Sequence, residues 1–456
     1  MTLLKNELRR MTENTMHIGL DDTDSVRKGC TTYVAALLVE KLEGLGARFI
    51  DYPNLIRLNP NVPWKTRGNG ALCLRIRYNE NVDNRIKDIV MSTVENCSDL
   101  DSEGTEPGVV FFRGPKIPSE VGAFAKKTIS QVVSLKDAVR LVNKFGAEAV
   151  GFKSGRGIIG SLAAVGETLQ GDCTYEILAY RNPENCGSKR RVDEASIFEM
   201  DRASAPYTFN NVDLEKNRVI ITPRGPDPIL LGVRGETAEI VKKAFDMIKS
   251  FEPVERWMIF RTNQGTDAHL RPVKSISQMV PYSSVIVRGK VYAGPRIVPT
   301  RHVIFSISDQ TGQVDCAAYE PTGNLRRVAR ELIVGDVVRV YGAVRVSRRR
   351  RPLTVNLEKI RVLELAEKMA VQNPTCSICG KRLKSMGKDK GFKCEKCGSL
   401  YRDLEKVETR LERALKKGLY IAATRSQRHL TKPFRRYGME KHHVTIKEPT
   451  GVWHSP

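Results

Sequence analysis

A multidomain α/β and α+β fold, ending in a small β-barrel and a zinc ribbon, is predicted by three observations. Glycine-rich loops join strand-like to helix-like stretches through the first 280 residues. Between residues 283 and 362 the pattern changes to short alternating strands. Two Cys-x-x-Cys pairs, 14 residues apart, then follow. At 456 residues the chain is long enough for two to four domains. It carries 75 Lys and Arg against 52 Asp and Glu, a net charge of +23, which points to a polyanionic partner such as nucleic acid.

No stretch of 18 apolar residues is present, so no membrane span is expected. The opening MTLLKNELRRMTENT lacks a signal-peptide core, and residues 1–15 read as an extension before a first strand near Met16. Six scattered cysteines fit a reduced, cytoplasmic protein rather than a disulfide scaffold. Nothing points to an obligate protein partner.

The first strand leads into HIGLDDTDSVRKGCTTY, residues 17–33. Val34, Leu37, Leu38 and Leu42 then keep helical spacing, with Thr31 or Thr32 as a plausible N-cap and Gly44 and Gly46 as the stop. Asp21, Asp22 and Asp24 therefore occupy a strand-to-helix loop, where α/β folds place ligands. Carboxylates this close repel, and Mg2+ bridging them to phosphate oxygens would relieve the repulsion. A polar turn explains a lone Asp pair; three acids followed by GCTT favour a site.

GFKSGRGIIGSLAAVG, residues 151–166, follows a second strand and opens a helix through Ile158, Ile159 and Leu162. Lys153, Ser154, Gly155, Arg156 and Gly157 are its candidate ATP-binding residues, although the stretch is not a Walker A loop. The long polar loop between the two sites offers Lys65 and Arg67 to phosphate or RNA. A further αβ unit begins near residue 222. After it, the Met258–Phe260 run ends in a polar cluster containing Thr262, Asn263, Gln264, Asp267 and His269, a candidate substrate rim.

Five short strands with a helix after the third match an OB-fold, a frequent oligonucleotide binder. Arg345 and Arg348, Arg349, Arg350 and Arg351 lie in or beside its later hairpin. Cys376, Cys379, Cys394 and Cys397 supply four thiolates for a closed, structural Zn2+ site. The remaining tail mixes Arg428, Arg435 and Arg436 with Phe434 and Tyr437, a composition suited to RNA.

Taken in order, DDTDS with GCTTY, RLNPNVPWKTRGNGA, GRGIIG, GPDPILLGVRG, ERWMIFRTNQGTDAHL, the OB-like block and the four cysteines resemble one archaeal family, the isoleucine-tRNA 2-agmatinylcytidine synthetases. The resemblance covers about residues 16–437. It implies a kinase-like catalytic domain at 16–200, a ferredoxin-like domain at 201–280, an OB-fold at 281–366 and a zinc ribbon at 367–402, while residues 403–456 read by composition as a basic RNA-binding tail. It also implies a ligase using ATP, Mg2+ and Zn2+ that attaches agmatine to C2 of the wobble cytidine of an isoleucine tRNA with a CAU anticodon, releasing AMP and phosphates. The product tRNA would decode AUA codons. The family's phosphorylated threonine maps onto Thr31 and its acidic loop onto Asp21, Asp22 and Asp24. Asp227 and Asp267 are the candidate carboxylates for the agmatine guanidinium. Two other classes stay in view: a non-catalytic OB-fold and zinc-ribbon RNA-binding protein, and a small-molecule kinase with RNA-binding appendages. A pure binder has no need to concentrate acids beside a helix start.

Overall fold

The computed structural model of the chain describes residues 13–346 and 353–455. The first strand is Glu13–Asp21, starting inside the stretch expected to be an extension, and it is buried from Met16 to Leu20. It lies between two antiparallel neighbours, Gly70–Asn79 and Gly108–Arg113. The helix that follows spans Thr31–Gly44 and buries Val34, Leu38 and Leu42. Its N-cap is Cys30 in an extended conformation, not either threonine.

One ten-stranded sheet runs through the first two thirds of the molecule. Its N-terminal strands meet the later strands at a single parallel pairing, where Asn54–Arg57 lies beside Val254–Thr262. Thr262 donates its hydroxyl to the Leu55 carbonyl at 2.6 Å. The Asn263 side chain bonds both the Arg57 amide, at 2.8 Å, and its carbonyl, at 3.0 Å. The polar cluster expected to rim a substrate thus joins two half-sheets through buried, satisfied polar groups.

Glycines set the depth of the helix Gly157–Gly166 against the sheet. A Cβ on Gly157 would collide with the Glu106 carbonyl oxygen, and one on Gly108 would collide with the Gly157 carbonyl carbon. Gly157 is therefore required for close helix–strand approach.

Residues 284–364 form the expected barrel: five strands, with the helix Asn324–Glu331 after the third. Pairing of Ser284–Ile297 with Val337–Arg345 closes it. Its core includes Val287, Phe305, Ile307, Val340 and Ile360. In the ribbon beyond, one ligand atom from each of Cys376, Cys379, Cys394 and Cys397 lies within 4.8 Å of the others. Sulfur pairs stand 3.5 and 3.4 Å apart. Thiolates bound at about 2.3 Å to a tetrahedral zinc are separated by about 3.8 Å, so the donor set fits zinc.

The C-terminal segment differs most from expectation. Gly418–Ile421 pairs with the barrel strand Thr354–Glu364. The chain then returns across the large sheet, where Gly265 and Asp267 donate their amides to the carbonyls of His429 and Leu430 at 2.8 Å each. Arg436 is fully buried, with its guanidinium on Asp172 and Glu236. Arg435 forms a fork on Asp201 at 2.8 and 2.9 Å. Trp453 packs edge-on against Phe49, and its carbonyl accepts the Ile259 amide at 2.9 Å. Arg435 and Arg436, expected on RNA, instead pin this segment to the sheet, because their charges are already matched by carboxylates. Arg348, Arg349, Arg350 and Arg351 lie outside the described residues.

Candidate functional site

A cavity of about 370 Å3 is lined by residues from both half-sheets, the acidic loop and the C-terminal segment. One wall carries Asp21, Asp22, Asp24, Thr31, Arg156 and Gly160. Arg156 donates to the Asp22 carboxylate at 3.3 Å. Arg67 donates to Asp24 at 2.7 Å and to the Gly29 carbonyl at 2.6 Å. Two of the three acids therefore have an arginine, which answers part of the repulsion inherent in the sequence.

Asp21 has no such bond. A Cβ on Gly160 would overlap its Oδ2, so only glycine leaves room for this carboxylate against the helix. Burial, with Asp22 and then Asp24 nearby, holds the Asp21 carboxyl well above the usual range. Burial also pushes Asp22 up to about 6 despite the opposing pull of Arg156. These two partly exposed carboxylates are thus disfavoured as anions, while among the described residues only the four ribbon cysteines form a group of three or more with metal-ligand spacing. The Thr31 hydroxyl at the helix start accepts a hydrogen bond from Thr23 Oγ1 at 3.0 Å. Thr31 lines the same cavity.

The rest of the second glycine-rich loop lies outside the cavity lining. Lys153 donates to the Ser102 carbonyl at 2.6 Å, Ser154 bonds Glu106, and Gly155 supplies a turn with φ of 78°. Only Arg156 of the five residues expected to bind ATP lines the cavity.

A second wall, made by the remaining charged residues of the lining, carries no motif of its own. Glu176 is buried on the strand Thr174–Arg181, and Arg234 Nε donates to it at 2.8 Å. Arg57 lies 3.8 Å from the same carboxylate, and the Gln264 amide also bonds it. His429, from the C-terminal segment, adds a ring nitrogen 3.0 Å from Gln264 Oε1. Burial, followed by the charges of Arg57 and Arg234, holds this imidazole well below its ordinary pKa, so it is neutral. Lone charges inside the apolar strands TYEILAYR and ILLGVRG were the available signal for Glu176 and Arg234, which the sequence reading missed.

Asp227 also lines the cavity, held by Arg67 and Arg190 at 3.2 Å each. Asp267 does not. Its carboxylate accepts from Lys359 Nζ at 2.5 Å and from the Lys432 amide at 2.7 Å, outside the cavity lining. Lys65 and Arg67 stand in the cavity lining, whereas Arg428 stands in a neighbouring cleft.

Sequence profiles for the TiaS TCKD domain and the TiaS FLD domain match residues 17–154 and 155–269. The chain belongs to the TiaS family. A TiaS C-terminal zinc ribbon profile matches residues 373–415, and an OB-fold nucleic acid binding profile matches 285–363. Among TiaS relatives, the isoleucine-tRNA 2-agmatinylcytidine synthetase of Methanocaldococcus jannaschii is 45% identical over 426 residues, covering 92% of this chain and 98% of that protein. The synthetase of Archaeoglobus fulgidus is 41% identical over 427 residues, covering 94% and 99%. The crystal structure of TiaS in complex with isoleucine tRNA and ATP superposes with a TM-score of 0.84 at 40% identity, over 95% of this chain and 100% of the other. That of TiaS in complex with isoleucine tRNA, AMPCPP and agmatine gives 0.82 at 38% identity, over the same shares.

Proposed function

We propose that this chain ligates agmatine to C2 of the wobble cytidine of an isoleucine tRNA bearing a CAU anticodon, consuming ATP and releasing AMP and phosphate. The resulting 2-agmatinylcytidine lets that tRNA decode AUA codons. The observation that carries this reading is the joint cavity, where a carboxylate loop and a helix-start threonine share the lining with a second wall of arginines and carboxylates. A small-molecule kinase needs only the first wall, and an RNA-binding protein needs neither.

Phosphoryl transfer depends on positioning and charge neutralisation. In this reading ATP lies along the acidic loop, with Arg156 on its phosphates and Thr31 as the acceptor of a phosphoryl group. Mg2+, held by Asp21 with Asp22 or Asp24, would neutralise the phosphate oxygens there. The cytosine must leave the anticodon stack to enter. Phosphorylation of its C2 oxygen creates a leaving group; the agmatine amine then forms the C–N bond while oxygen departs with phosphate. Asp227 and Glu176 are the cavity's carboxylates outside the acidic loop. A guanidinium fork on either one replaces an arginine contact it already has.

Kinase-like and ferredoxin-like architectures for residues 16–200 and 201–280 belong to the same proposal, as does a cytoplasmic site of action, where the tRNA is used. One continuous sheet through both stretches supports their acting as a unit. Incubating the protein with ATP, isotope-labelled agmatine and tRNA transcripts, followed by nucleoside mass spectrometry, tests the function. Labelled agmatinylcytidine in the CAU transcript alone is expected; label in none, or in every transcript with a wobble cytidine, would refute it.

A further inference from the structure

Next to the main cavity is a second cleft with a different electrostatic character. It is lined by Arg57, Lys65, Arg67, Arg345, Arg428 and His429 together with apolar and neutral residues, and by no carboxylate among the described residues. The two spaces share Arg57, Lys65, Arg67 and His429, so the cleft opens directly beside the proposed reaction site. Arg57 and Arg67 have their charges met by Glu176 and by Asp24 and Asp227. Lys65 and Arg345 are different, and Arg428 beside them has a single carboxylate oxygen, on Glu358, at 3.7 Å.

These three cations come from three separate parts of the chain: the long polar loop, the end of barrel strand Val337–Arg345, and the C-terminal segment. Asn61 fixes two of them. Its carbonyl accepts from Arg345 Nη1 at 3.1 Å, and its side-chain oxygen accepts from Arg428 Nη1 at 2.5 Å. Lys65 Nζ reaches only the Arg67 carbonyl, at 2.9 Å. Among the described residues, Lys65 and Arg345 have no carboxylate partner. Glu358 approaches Arg428 Nε at 3.7 Å, but its other oxygen accepts from His269 and Thr431. Partial burial and mutual repulsion lower the pKa of both Lys65 and Arg345, Arg428 being the first charged neighbour of each. Such convergence costs free energy unless an anion occupies it. Trp64, nearly half exposed at 48%, lines the adjoining main cavity and offers a stacking face one residue from Lys65.

We propose that Lys65, Arg345 and Arg428 form a seat for one backbone phosphate of the single-stranded anticodon loop, adjoining the nucleotide whose base enters the main cavity. The inference rests on the tRNA-modification reading and adds what holds the RNA in register. A single phosphate seated by cations from loop, barrel and C-terminal segment requires all three parts to be docked together. It therefore couples correct RNA placement to assembly of the reaction site.

The test removes charge from each side in turn. Methylphosphonate is placed at successive positions of the tRNA anticodon loop, and affinity is measured with the wild-type protein and with Lys65→Gln, Arg345→Gln and Arg428→Gln. One position should weaken wild-type binding about tenfold, the scale of one hydrogen bond to an ion. The same substitution should cause little further loss with any of the three variants, and each variant should lower the salt slope by about 0.7, the single-strand value per phosphate. Self-phosphorylation with ATP alone reports folding and should keep the wild-type KM for ATP in Arg345→Gln and Arg428→Gln, whose residues lie outside the main cavity lining. Losses that simply add at every position, or variants that bind tRNA as the wild type does, would overturn the seat. A raised KM for ATP with a flat methylphosphonate scan would also overturn it, assigning the cations to ATP phosphates instead. Failure of the wild-type protein to modify any tRNA would count against the functional reading itself, and the wild-type binding scan distinguishes that failure from loss of the seat.

Discussion

The two walls of the cavity are built by opposite strategies. The acidic wall is local: three carboxylates and the threonine fall within eleven residues, and its charge is incompletely neutralised. The second wall is assembled from distant strands and the C-terminal segment, and its Glu176 is surrounded by Arg57, Arg234 and Gln264. The first wall holds free energy that a metal and phosphates can recover on binding. The second is a network of paired charges that fixes shape, although Arg57 Nε is buried without a hydrogen-bond partner among the described residues. This contrast supports the proposal that phosphoryl chemistry belongs to one wall and substrate placement to the other.

The largest effect is expected from Asp21→Asn. Loss of the anion should reduce tRNA modification by about 10^3-fold or more, since catalysis here rests on electrostatic positioning. The same change should raise the melting temperature of the metal-free protein at pH 7, because Asn resembles the neutral form that the site favours. A destabilised Asp21→Asn protein would break the contrast between the walls.

Glu176→Gln should behave in the reverse sense. It leaves Arg57 and Arg234 partly buried with their charge uncompensated, costing about 1–3 kcal/mol of stability. Denaturant unfolding measures this directly. Near-neutral stability would show that the second wall is not the structural network described above.

The zinc ribbon and the C-terminal segment supply a third comparison. Replacing Cys376 and Cys379 with Ser should release zinc and weaken tRNA binding while self-phosphorylation persists, because the ribbon shares no lining residue with the cavity. Deleting residues 371–456 should abolish self-phosphorylation as well, since it removes His429, the buried Arg436 clamp and Trp453. Equal behaviour of the two variants would argue for a fully modular chain.

The smallest effect concerns pH. Asp22 titrates at about 6 in the fold against an ordinary 3.8, so the folded state holds a proton that the unfolded state has released. Metal-free stability should therefore fall as pH rises from about 4 to 6. Mg2+ should raise the melting temperature at about pH 7.5 and lose that effect below about pH 6, where protons compete for the site. Calorimetry with and without Mg2+ checks this.

What was legible in the sequence follows the same division. DDTDS with GCTT, the five barrel strands and the four cysteines are local patterns, and each marks an element present in the structure. Glu176 and Arg234 sit opposite each other because Thr174–Arg181 pairs antiparallel with Ile229–Gly235, Arg57 reaches them because Asn54–Arg57 pairs in parallel with Val254–Thr262, and His429 arrives because the C-terminal segment folds back. No short window contains that information. The tail departs from expectation for a related reason: Arg435 and Arg436 have the composition of an RNA-binding patch, but their carboxylate partners Asp201, Asp172 and Glu236 lie far away in sequence. Asp267 follows the same rule, because its partner Lys359 belongs to the barrel.

The division of labour between the walls is tested most directly by mapping phosphate on the protein after incubation with ATP alone. Phosphopeptide mass spectrometry on the wild type, Asp21→Asn and Glu176→Gln provides the comparison. The account predicts phosphate on Thr31 in the wild type, its loss in Asp21→Asn and its retention in whatever fraction of Glu176→Gln stays folded. Phosphate on Thr23 or Thr32 instead, or retention in Asp21→Asn with loss in folded Glu176→Gln, would contradict it.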